Sequence, residues 1–171
     1  PGLRKGSSGR LTVMRLAWIT DPHFNFLPPF GARAFGQYVA KETGCDAVVL
    51  TGDIAESKSL EQANRGFAEG LDKPVYFVLG NHDYYSGSIE GTRTVARRLG
   101  GNLRWLHSAG VVQLSRETAL VGHEGWYDAQ YGDPMGSRVW MSDFDLIEDL
   151  RSLTRQELVT KLFYLGRQAA Q

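Results

Sequence analysis

Three short apolar runs, residues 16–20, 47–51 and 75–79, punctuate the first half of the chain, and each leads into a cluster of Asp, His or Asn. The second and third runs are too continuously apolar for strands with one wet face, so they predict strands buried on both faces. Segments of helical length, residues 30–43 and 59–71, separate them. Strand, helix, strand, helix, strand requires crossover connections, and hence a sheet that is parallel at least in part. The fold class is therefore α/β, with mixed β-sheet layers flanked by helices.

Further along, residues 89–99 predict a helix with Ile89, Ala96 and Leu99 on one face. Shorter strand signals follow at 103–106, 111–114 and 118–122, with turns at Ala109-Gly110 and Arg116-Glu117. Residues 124–140 form a loop rich in glycine and aromatic residues. A last helix starts with a capping box, Thr154 and Glu157, and carries Leu158, Leu162, Leu165 and Ala169 along one stripe. Residues 1–13 have too little apolar content to fold and are read as a disordered extension or a tag, leaving 14–171 as the folded domain.

Neighbouring parallel strands bring their carboxyl ends side by side, which is where such sheets bind ligands. The three ends here carry Thr20-Asp21-Pro22-His23, Thr51-Gly52-Asp53 and Gly80-Asn81-His82-Asp83. Strand alternation would turn Asp21 and His23 toward one ion. A mixed carboxylate and imidazole set suits Mn, Fe, Zn or Ni better than Ca or Mg. Asp53 has two oxygens and could bridge a pair of ions. Asn81 offers a neutral carbonyl oxygen, and His82 an acid that titrates near neutrality, with Asp83 available to orient its ring. Turn and cap chemistry is the competing explanation for Asp and Asn at such positions.

Three blocks in this order, D-x-H, G-D and G-N-H-D, resemble the calcineurin-like metallophosphoesterases. Spacing is regular, 30 residues from His23 to Asp53 and 28 from Asp53 to Asn81. The resemblance implies two divalent transition metals, with Asp21, His23 and Asp53 on the first, and Asp53 and Asn81 on the second. It implies that His82 protonates the leaving oxygen of a phosphate-ester substrate, with Asp83 holding its ring. The family's further histidine and terminal G-H-x-H are not found among the four histidines, His23, His82, His107 and His123. The resemblance therefore also implies a domain incomplete at its C-terminus, whose activity is impaired or completed by another chain; a non-catalytic scaffold is the alternative.

Gly122-His123-Glu124-Gly125 is read as a chance likeness to G-H-x-H, and His107 and His123 as structural or surface histidines. Arg93, Arg97 and Arg98 are read as the solvated face of their helix. Nineteen basic and nineteen acidic residues cancel, which argues against a broad nucleic-acid surface. Cys45 is alone and fits a reducing compartment, and no apolar run nears the roughly 18 residues of a membrane span. The expected location is cytoplasmic.

Overall fold

The computed structural model describes residues 14–170; the expected extension at 1–13 lies outside the described residues. Strands β1 (Leu16–Ile19), β2 (Ala47–Thr51), β3 (Val75–Val78) and β4 (Leu103–Trp105) form one sheet in chain order, every pair parallel. Helices α1 (Gly31–Thr43), α2 (Leu60–Leu71) and α3 (Ile89–Arg98) connect them. Beyond β4 lie a short helix α4 (Leu106–Ala109), the antiparallel pair β5 (Val112–Gln113) and β6 (Ala119–Leu120), a short helix α5 (Asp143–Leu146) and the long helix α6 (Arg155–Ala169). The expected mixture of strand directions is thus divided between two sheets, one wholly parallel and one antiparallel.

Alternation along β2 and β3 accounts for their continuous apolar character. Val48, Leu50, Val75 and Phe77 face the main core, with Phe67 of α2, and Leu158 and Leu162 of α6. Ala47 and Tyr76 face the other way, toward Leu106 and Val112, with Leu114 and Leu120 packed alongside. A strand covered on both sides has no polar face to show, which is why these two read as apolar runs. Each fully buried Leu or Phe stabilises the fold by roughly 1.5–3 kcal/mol. β1 differs, since Ala17 and Ile19 pack toward the main core while Trp18 is 75% exposed on the opposite face. The Trp18 indole donates to the Thr51 hydroxyl of β2 at 2.8 Å.

The capping box of α6 forms as its sequence predicts, with Thr154 Oγ1 accepting from the Glu157 amide and the Glu157 carboxylate accepting from the Thr154 amide. Leu158, Leu162 and Leu165 are buried beneath it.

Helices α1 and α2 approach closely because glycines face each other across them. A Cβ at Gly36 would come within 2.4 Å of the Phe67 carbonyl, and one at Gly70 within 2.0 Å of the Arg33 carbonyl. Gly66, on the same helix as Gly70, has its nearest neighbour 3.8 Å from a Cβ position, an ordinary contact. Replacing a helical glycine by alanine gains about 1 kcal/mol of propensity, whereas forced overpacking costs about 1–3 kcal/mol. Gly66→Ala is therefore expected to raise the denaturation midpoint and Gly70→Ala to lower it. Equal effects in urea melts would mean that the helices are free to separate.

Candidate metal centre

The carboxyl ends of β1, β2 and β3 do meet, and backbone hydrogen bonds fasten the loops that follow them. Asp21 and His23 amides donate to the Gly52 and Asp53 carbonyls at 3.2 and 3.0 Å, and Phe24 donates to Ile54 at 2.8 Å. The second and third loops are joined through side chains. Asp83 is fully buried, with Oδ1 accepting from the Ala55 amide and Oδ2 from the Gly80 amide, both at 2.8 Å. Asp53 Oδ1 accepts from the His82 amide at 3.1 Å. Gly80 is required at this junction: a Cβ there would lie 2.1 Å from Asp53 Oδ1 and 2.6 Å from its amide nitrogen.

This packing gathers His23, Asp53 and His82, whose potential ligand atoms all lie within 4.8 Å of one another. Nε2 of each histidine is 4.0 Å from Asp53 Oδ2, and the two rings meet edge to face at 4.8 Å. The His82 ring also lies over Tyr85, with centroids 4.3 Å apart. Two imidazoles and a carboxylate at this separation form a donor set suited to a divalent transition metal. Asn81 is held beside them by its amide nitrogen, which donates to Asp143 Oδ1 at 2.7 Å and lies 3.2 Å from the Tyr85 hydroxyl. Its carbonyl oxygen is thereby left as the atom available to a cation.

Two side chains stand otherwise than the sequence pattern predicts. Asp21 stands apart from the triad: its side chain is exposed and accepts from the Thr20 hydroxyl. The reason is geometric, because β1 ends at Ile19, and Asp21 and His23 both adopt left-handed backbone with φ of 52° and 43°. Strand alternation does not extend past the strand. Asp83, for its part, does not hold the His82 ring; its oxygens are engaged by the two backbone amides named above, and its work is to join loops.

Two residues that the sequence reading did not single out belong to the surroundings. Asp143, at the start of α5, is buried and bonds both Asn81 and Tyr85, whose hydroxyl donates at 2.6 Å. Nothing in the aromatic loop marks it, since its partners lie 62 and 58 residues away. Glu124 is the other: its side chain, 1% exposed, pairs with Arg93 at 3.0 Å and lies 3.1 Å from His107 Nδ1. Arg93 is accordingly not part of a solvated face. His107, His123 and Glu124 form a second cluster with potential ligand atoms within 4.8 Å. Burial, together with Arg93 and Arg97, pushes His107 below the ordinary histidine range. Burial also lowers His123, whose Nδ1 accepts from the Gly125 amide at 3.1 Å.

Comparison with known proteins agrees with this geometry. Residues 14–161 match the calcineurin-like phosphoesterase family, and the chain belongs to that family. A zebrafish (Danio rerio) protein named "Transmembrane protein with metallophosphoesterase domain" is 30% identical over 116 residues, 65% of this chain and 24% of that relative. The chain thus spans about a quarter of the relative's length. No solved structure matches. Among the described residues no helix is long and apolar enough to cross a membrane.

Burial, with a smaller contribution from Asp53, raises the Asp83 carboxyl from 3.8 to about 7, despite the two amides that favour its ionised form. A carboxyl that holds its proton more tightly when folded loses stability as pH rises, because the unfolded chain ionises first. Stability of the metal-free protein is therefore expected to fall between about pH 4 and pH 7 and to level off above, a slope that Asp83→Asn removes. Urea midpoints measured across that range check this; a stability that rises there in the native sequence would refute it.

Proposed function

We propose that this domain hydrolyses phosphate mono- or diesters with two divalent transition metal ions, Mn, Fe, Zn or Ni. The observation that carries the proposal is the convergence of His23 and Asp53, with the His82 ring beside them, at the carboxyl edge of a parallel sheet, in a chain of the calcineurin-like phosphoesterase family. Bound at such a site, the ions supply an acidified water as nucleophile and neutralise charge on the phosphoryl group.

His23 and Asp53 would hold the first ion, and Asp53 with the Asn81 carbonyl oxygen the second. Asp21 would join the first ion by turning its side chain away from Thr20. Asp53 would serve both ions: one of its oxygens accepts the His82 amide and the other faces the two imidazoles. His82, half-exposed and steadied against Tyr85, would deliver a proton to the departing alcohol oxygen. Asp83 acts on all of these through the backbone of the loops it joins.

The test begins with metal-depleted protein. Mn²⁺ is expected to raise the melting temperature and to support turnover of bis-(p-nitrophenyl) phosphate, and Asp53→Ala to abolish both. His82→Ala is expected to keep the melting shift and lose about 10²–10⁴-fold in kcat, with a larger loss for alkyl esters than for p-nitrophenyl esters, whose alcohol leaves without help. A melting shift without turnover would favour a non-catalytic metal-binding module. No shift with any of the four metals would sink the metal centre altogether.

A further inference from the structure

Beside Asn81 lies a cleft of about 270 Å³, walled by Leu79, Trp126, Tyr127 and Met141 and floored by Asn81 and Asp143. Asp143 is 2% exposed, and its Oδ1 takes the hydrogen bonds from Asn81 and Tyr85. Its Oδ2 is buried and has no hydrogen-bond partner, and among the described residues no Lys, Arg or His is paired with this carboxylate. A buried carboxylate with no cation beside it is costly unless something supplies positive charge. Glu124 lines the same cleft, but Arg93 balances its charge and the Trp105 indole lies within hydrogen-bonding reach of its carboxylate. The Tyr127 phenol lies within hydrogen-bonding reach of Asp143, and burial followed by that charge pushes it above the usual range; it offers a proton donor but no positive charge.

From this conjunction we infer that the cleft binds the leaving-alcohol part of the substrate, and that this part carries a protonated primary amine. The inference rests on the phosphoesterase reading and narrows it to aminoalkyl phosphates. An ammonium meets what Asp143 lacks, since it brings a positive charge that can also donate to the carboxylate. Aromatic walls suit it as well, because ring faces attract cations. Volume agrees: at about 30 Å³ per water-sized group, an aminoethyl or aminopropyl chain fits. The phosphate then sits on the far side of Asn81, over His23 and Asp53, and His82 faces the oxygen that joins the two parts.

Isothermal titration of Mn²⁺-loaded protein with phosphoethanolamine, phosphocholine and ethyl phosphate tests this. Phosphoethanolamine is expected to bind about ten- to hundredfold more tightly than ethyl phosphate, the range for one charged hydrogen bond. Phosphocholine, which keeps the charge but has no N–H, is expected to fall between them. Asp143→Asn preserves an oxygen for Asn81 and Tyr85 and removes only the charge, so the preference should vanish while the Mn²⁺ melting shift remains. Equal binding of phosphoethanolamine and ethyl phosphate, a preference that survives Asp143→Asn, or tighter binding of adenosine monophosphate than of phosphoethanolamine would each overturn the inference. Absence of a melting shift with every one of Mn, Fe, Zn and Ni in the native sequence would instead remove the phosphoesterase reading on which it rests.

Discussion

A single buried carboxylate sets the geometry of the candidate centre. Asp83 accepts one amide from the loop after β2 and one from the loop after β3, so the two loops are clamped at a spacing fixed by the width of one carboxyl group. That spacing lets Asp53 reach the His82 amide, and Asp53 in turn stands between the His23 and His82 rings. Gly80 is the counterpart of this clamp, because only a residue without a side chain leaves room for Asp53 at that distance. The G-N-H-D block thus reads physically as a steric gap, an amide side chain, an imidazole and a fastener, in chain order.

Much of this was legible because burial and periodicity leave strong marks. β2 and β3 read as doubly covered strands since Val48 and Leu50 point one way and Ala47 and Val49 the other, all apolar. The capping box announced α6 because both of its partners lie within three residues of each other. The centre was legible to the extent that backbone proximity alone creates it. What escaped was the direction of individual side chains: Asp21 turns outward because its backbone is left-handed, and Asp83 turns inward to amides that no spacing rule connects to it. Asp143 escaped for a different reason, as its contacts with Asn81 and Tyr85 exist only after the aromatic loop has folded back over the sheet edge.

The second half of the chain is organised by polar contacts rather than by regular elements. Arg93 from α3 and His107 from α4 both reach Glu124 at the start of the aromatic loop. The loop is held from its other end by Arg155, which donates to the Ser137 carbonyl and lies over the Trp140 ring. Close contact of Gly166 in α6 with Asp128 seats its middle. A segment almost free of helix and strand therefore has three fixed points, which is what allows it to wall a cleft of defined shape.

Left-handed backbone at Asp21, His23 and Asp53 carries one more consequence. Such conformations cost of order 1–3 kcal/mol in side-chain-bearing residues and persist only where the surroundings impose them. Glycine would sit at each of these three positions without strain. Evolutionary pressure for a sturdier fold and pressure to keep polar side chains at the sheet edge therefore pull in opposite directions at the same codons. A lineage released from any need for these side chains would be expected to drift toward glycine there, growing more robust as it lost them.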